Sequence, residues 1–120
     1  MRTSVKMGSV AGPYSPGIVA SGQKWIFVSG QIGQDLESDI KVQTQDSLTK
    51  IQNILSEAGA TMGDIVKSTV YLADIEDYPK MNEVYKGFFI GVDPPARAAF
   101  QVAKLPLGAK IEIDAIAILK

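Results

Sequence analysis

From about Val42 onward the apolar positions follow two alternating rhythms. Leu48, Ile51, Leu55 and Ala58 recur at spacings of three and four, with Ile54 beside them, which predicts an amphipathic helix over residues 42–58. Gly59 follows as a C-terminal stop. Met81, Val84, Tyr85 and Phe88 repeat the helical spacing within residues 75–91, where Pro79 suits a first turn. Between the two helices, "DIVKSTVYLAD" (64–74) is rich in β-branched residues and reads as a central strand.

The N-terminal third is strand-like. "RTSVKM" alternates weakly, and "GSVAGPYSPG" (8–17) is an ordered loop dense in Gly, Pro and Ser. "IVASG" (18–22) and "KWIFVSGQIG" (24–33) flank Gly22 as a predicted hairpin. Two strands close the chain, about 97–103 and 110–119, joined by "KLPLGA". Lys104 and Lys110 flank that turn as solvent-facing charges. The order predicts an α+β domain spanning 1–120, with a mixed β-sheet and two helices packed on one face.

The last strand shows both faces of the sheet. In "IEIDAIAIL", Ile111, Ile113, Ala115, Ala117 and Leu119 share one side, and Glu112, Asp114, Ile116 and Ile118 share the other. Two helices cover only the first side. The second would leave isoleucines exposed beside carboxylates, so an oligomer is expected to cover it.

Composition narrows the chemistry. There is no Cys and no His among 120 residues, which removes disulfides, thiolate nucleophiles, classical zinc sites and His-based triads. No acidic cluster suggests a metal. Net charge is −1, so no basic footprint for nucleic acid is expected. No apolar run reaches a membrane span, and no apolar block follows Arg2 and Lys6 as in a secretory signal, so a cytoplasmic protein is expected.

Against that background Arg97 stands out. In "DPPARAAFQV" (93–102) two prolines stiffen the approach to a strand headed by a full positive charge. Its planar fork fits a substrate carboxylate; it equally fits a solvated strand end or a salt bridge to Glu112 or Asp114. Glu112 fits either a water-orienting base or an interface ion pair. Hairpin register would decide whether the two share a face. "SGQIG" (29–33), with Ser29 and Gly30, offers backbone amides without a nucleotide-binding spacing. Tyr14, on a loop stiffened by Pro13 and Pro16, suits a ligand contact or a packing anchor. Asn82 fits a pocket or a solvated helix position.

Taken together, "GPYSPG", "FVSGQIG", "GDIVKSTVYLADIEDYPKMNEVYKGFF", "PPARAAFQVAKLP" and "IEIDAIA" resemble, in order and spacing, the RidA/YjgF/UK114 family of reactive-intermediate deaminases. The resemblance runs over nearly the whole chain. It implies a chorismate-mutase-like α+β fold and a homotrimer whose sheets' far faces line the centre, with active sites in intersubunit clefts. It also implies hydrolysis of enamines or imines such as 2-aminoacrylate to 2-oxo acids and ammonia, without a cofactor. Carried over, Arg97 would clamp the substrate carboxylate, Glu112 would position water, Ser29 and Gly30 would line the pocket, and Tyr14 and Asn82 would reach the same cleft. Two departures bear on pocket shape: Ala99 stands where many members carry Cys, and Gly33 where many carry Pro. Two other classes compete: a non-catalytic binder of small 2-oxo acids, and a ribonuclease or translation inhibitor, against which the near-neutral charge argues.

Overall fold

The computed structural model describes all 120 residues. Strand β1 (Arg2–Val5) pairs antiparallel with β2 (Gly17–Ala20) as a separate ribbon. Strands β3 (Lys24–Gln31), β4 (Ile65–Leu72), β5 (Ala96–Gln101) and β6 (Ile111–Leu119) form a mixed sheet in the order β3-β6-β4-β5. Helices α1 (Ile40–Glu57) and α2 (Tyr78–Tyr85) complete the α+β fold.

The helical rhythm gives α1 its inner face. Leu48, Ile51 and Leu55 are buried in one core with Val28, Ile111 and Ile113. Asp39 caps the start, its carboxylate accepting from the Val42 amide at 2.9 Å. Gly59 ends the helix with φ +81°, a conformation glycine adopts without a Cβ clash. Helix α2 is shorter than its apolar rhythm, because single 3-10 turns at Ile75–Asp77 and Lys86–Phe89 carry the flanking residues. Neither helix is long and apolar enough to cross a membrane.

Two expected hairpins are not formed. Strand β2 pairs with β1, and β3 pairs with β6. At Gly22 the chain runs against the end of β6 instead of folding back: the Gln23 amide donates to the Leu119 carbonyl at 2.9 Å. A Cβ at Gly22 would fall 2.3 Å from that carbonyl oxygen. Gly22→Ala is therefore expected to lower stability by about 1–3 kcal/mol, read by chemical denaturation, because backbone must move.

Strands β5 and β6 are likewise not neighbours. Strand β4 lies between them, parallel to β5 and antiparallel to β6. The "KLPLGA" segment passes round the end of β4, with Val102 N–H donating to Leu72 O and Ala73 N–H to Lys110 O. Its bend uses positive φ at Leu107 and Gly108. Lys104 is exposed, but Lys110 is not the solvent-facing charge expected. Its ammonium donates to the Ser38 carbonyl at 2.7 Å, and its amide to Gln43 Oε1 at 3.0 Å.

The two faces of β6 are as the alternation predicts. Ile111, Ile113, Ala115 and Ala117 are buried under the helices. The far face presents Ile116 and Ile118 beside Phe27 and Trp25, of which Trp25 is 58% and Phe27 69% exposed. Such a contiguous apolar face on one chain marks an interaction surface.

Candidate functional site

The two prolines before β5 do more than stiffen it. The Ser15 amide donates to Pro95 O at 3.1 Å, its hydroxyl to Pro94 O, and Ser15 bridges Ala96. This docks the 11–16 loop on the head of β5 and brings Tyr14 to Arg97. The Arg97 guanidinium carbon lies 4.7 Å from the Tyr85 ring centroid, 5.3 Å from Tyr14 and 5.5 Å from Tyr78. Each ring face attracts the cation. Nη2 donates to the Tyr78 hydroxyl at 3.0 Å, and Nη1 lies 3.7 Å from Met81 Sδ.

No carboxylate pairs with this guanidinium. The protein's two ion pairs, Lys6–Asp93 and Lys41–Glu83, lie elsewhere. The salt bridge to Glu112 or Asp114 that the sequence allowed is not made; Asp114 instead accepts from the Tyr71 hydroxyl at 2.8 Å. The fork that best fits a carboxylate thus keeps most of its donors unused.

Gly12 closes over the group. A Cβ there would lie 3.0 Å from the Tyr78 hydroxyl, 3.1 Å from Arg97 Nη2 and 3.2 Å from Asn82 Nδ2. The Asn82 Oδ1 is buried without a hydrogen-bond partner.

Tyr85 forms the floor. It is fully buried, and its hydroxyl lies 2.6 Å from Ser68 Oγ. Burial pushes its phenol up to about 12, against the opposing effects of the Ser68 hydrogen bond and the Arg97 charge. The folded protein thus holds this proton more tightly than the unfolded chain does. The resulting stability is complete below pH 10 and is lost as pH rises toward 12. Urea denaturation is expected to show an alkaline loss about 2–3 kcal/mol larger than that of Tyr85→Phe, in which Tyr71, raised by its hydrogen bond to Asp114, still titrates.

The remaining predicted residues gather separately. Ser29 and Gly30 occupy an irregularity in β3 between Val28 and Gln31. A Cβ at Gly30 would fall 2.1 Å from Glu112 Oε2. Glycine alone lets the Glu112 carboxylate lie across this strand.

Register settles how the two groups relate. Arg97 aligns with Ser68 and, through it, with Ala115, on the helix side. Glu112 aligns with Tyr71, and Tyr71 with Phe100, on the far face. The fold brings Tyr14, Asn82 and Arg97 together, and Ser29, Gly30 and Glu112 together. It does not bring the two sets into one pocket within a chain.

Sequence reasoning missed Gly12 and Tyr78, and read Met81 and Tyr85 only as core. Tyr78, Met81 and Tyr85 fall at i, i+3 and i+7 of α2, a stripe that ends beneath the arginine. A tyrosine heading that stripe was the available signal.

The family model described as endoribonuclease L-PSP matches residues 5–119. A RutC family protein of Pyrococcus abyssi is 47% identical over 112 residues, 88% of this chain and 86% of that protein. The proteins named 2-iminobutanoate/2-iminopropanoate deaminase of Bos taurus and Homo sapiens are each 40% identical over 122 residues, 97% of this chain and 87% of theirs. Among solved structures, E. coli TdcF with bound serine superposes with a TM-score of 0.77 at 34% identity, covering 98% of this chain and 99% of that one. The E. coli YjgF gene product gives 0.75 at 36% identity, covering 92% and 91%. The fold, the motifs about Arg97 and Glu112 and these matches agree: the chain belongs to the endoribonuclease L-PSP family, the RidA/YjgF/UK114 proteins.

Proposed function

We propose that this protein hydrolyses reactive enamines and imines of the 2-aminoacrylate/2-iminopropanoate type to 2-oxo acids and ammonia, in the cytoplasm and without a cofactor. The observation that carries this reading is the Arg97 guanidinium held among three tyrosine rings with no carboxylate counter-ion. A small carboxylate is the ligand that such a fork fits. The relatives named 2-iminobutanoate/2-iminopropanoate deaminase support the reaction, and TdcF's bound serine, which carries a carboxylate, supports the ligand class.

The mechanism asks little of the protein. An iminium carbon is already electrophilic, so orienting one water supplies the main catalytic gain. Arg97 holds the carboxylate. Glu112 takes a proton from the water as its oxygen attacks C2. Glu112 then returns that proton to the carbinolamine nitrogen; the C2–N bond breaks, ammonia leaves, and Glu112 takes the hydroxyl proton as the carbonyl of the 2-oxo acid forms. Ser29 and the Gly30 backbone frame the water side, and Tyr14 and Asn82 the carboxylate side.

Arg97 and Glu112 lie on opposite faces of one sheet, so this chemistry needs two chains. Covering the far face with further copies is the corresponding assembly, a homotrimer with Arg97 facing Glu112 of the partner subunit. The same separation favours a second reading, a non-catalytic binder of 2-oxo acids, because one chain holds the carboxylate anchor without the water-positioning group. With a net charge of −1, neither nucleic acid nor a membrane surface is an expected partner.

The deciding experiment generates 2-aminoacrylate in situ with a dehydratase and follows its loss. Faster loss with the protein present supports the deaminase. Unchanged loss, with pyruvate still bound, supports the binder.

A further inference from the structure

Two carboxylates share the far face of β6. Glu112 and Asp114 lie two residues apart on it, roughly 7 Å along the strand, and only Glu112 has a part in the proposed chemistry. Tyr71 on β4 stands directly opposite Glu112, yet its hydroxyl donates not to Glu112 but to Asp114 Oδ2, at 2.8 Å. That bond, with burial, holds the phenol above its ordinary value, so the donor proton stays in place through the neutral range. The ring is set edge-on against Phe100 on β5, at 5.5 Å between centroids. Glu112 turns the other way, over Gly30 on β3. Neither of the chain's ion pairs uses either carboxylate, and Lys67, the lysine on this face, stands opposite Ile116. Asp114 thus has Tyr71 as its side-chain partner, and Glu112 has none.

We infer that Tyr71 is a positioning residue for Glu112: by holding Asp114, and by walling the β4 side of the slot over Gly30, it leaves Glu112 as the carboxylate free to orient water. The inference rests on the deaminase reading for its reaction and on the far-face geometry for the role. Covered by further copies, the face would hold two carboxylates with little water to separate them. An Asp114 without its donor would compete with Glu112 for the same water and repel its charge. The Tyr71 hydrogen bond gives Asp114 a partner of its own and removes that competition. Tyr71 touches neither the substrate nor the attacking oxygen; it acts through Glu112.

The test measures kcat and KM for the imine made in situ from alanine by an L-amino-acid oxidase. Tyr71→Phe keeps the ring on Phe100 and deletes the donor. It should lower kcat about tenfold and leave KM within about twofold, because Arg97, the carboxylate anchor, lies on the opposite face. Adding Asp114→Asn to it removes the competing charge and should restore kcat to within about threefold of the unmodified protein. A merely structural role predicts the reverse, a second lesion deepening the first. Mass in solution and thermal denaturation check that each variant assembles. Tyr71→Phe with unchanged kcat, or a double variant no faster than Tyr71→Phe, overturns the role. Should Tyr71→Phe alone fail to fold, the double variant is compared with the unmodified protein: a loss of kcat beyond about threefold overturns the role, and a smaller one upholds it.

Failure of the reaction is separable from failure of the role. If the unmodified protein hydrolyses no imine, the deaminase reading falls, and crystal structures of the unmodified protein and of Tyr71→Phe replace turnover. Glu112 holding its own water over Gly30 in the first, and displaced from Gly30 or sharing one water with Asp114 in the second, upholds the positioning of Glu112 by Tyr71. The same Glu112 rotamer and the same water in both structures overturn it.

Discussion

Arg97→Ala is expected to lower kcat/KM for imine hydrolysis by about a thousandfold or more. The guanidinium is the only strong anion ligand among Tyr14, Tyr78, Tyr85 and Asn82, and it has no protein carboxylate to satisfy it. Losing it removes both the charge-assisted bonds to the substrate carboxylate and the orientation of C2 toward water. The fold should survive. Stacking on the three rings stabilises by about 0.5–1 kcal/mol per contact, and removing an unpaired, partly desolvated charge offsets some of that loss. Arg97→Lys should recover little, because an ammonium offers neither the planar fork nor the same stacking. Steady-state kinetics beside thermal denaturation separates the two effects. A variant that keeps activity within tenfold at normal stability would move the carboxylate anchor elsewhere.

Local signals are the ones a sequence discloses. The Leu48, Ile51 and Leu55 rhythm is set by one helix packing on one sheet, and it reads directly. The two faces of β6 read as well, because Ile111 and Ile113 must be buried whichever strands flank them. Strand neighbours did not read, because pairing is decided by distant chain. Gly22 has the composition of a tight turn, yet its lack of a Cβ serves close passage to Leu119. "KLPLGA" looks like a hairpin connection, yet it spans the width of β4.

The site shows the same division. Arg97 was legible as a charge after two prolines, and the role proposed for it rests on motifs that carry the family resemblance. Tyr78 was not, because a tyrosine on helical spacing resembles any core residue until β5 is placed beneath it. Gly12 was hidden for a similar reason, since its contacts are made by Arg97, Tyr78 and Asn82 from other elements. In a β5–β6 hairpin, register would decide whether Arg97 and Glu112 share a face. With β4 between the two strands they lie on opposite faces, which makes the proposed site depend on assembly.

That dependence gives the second large effect. Arg97→Ala and Glu112→Gln chains should each form inactive trimers. Co-expressed in equal amounts, they should recover about a quarter of the unmodified activity. In the proposed cyclic trimer each site would take Arg97 from one chain and Glu112 from the next. Random mixing supplies an intact arginine half the time and an intact carboxylate half the time, independently. If both residues served one chain's own pocket, every site in the mixture would carry a lesion and nothing would return. A third substitution on the far face tests the assembly itself: Phe27→Asp places a charge on a side chain that is 69% exposed in the single chain and that would be buried between copies. It should abolish the recovered activity and reduce the mass in solution to that of one chain, while leaving the helix-covered core intact. Recovery without any dependence on Phe27 would place the shared cleft on a different surface from the Trp25, Phe27 and Ile116 face.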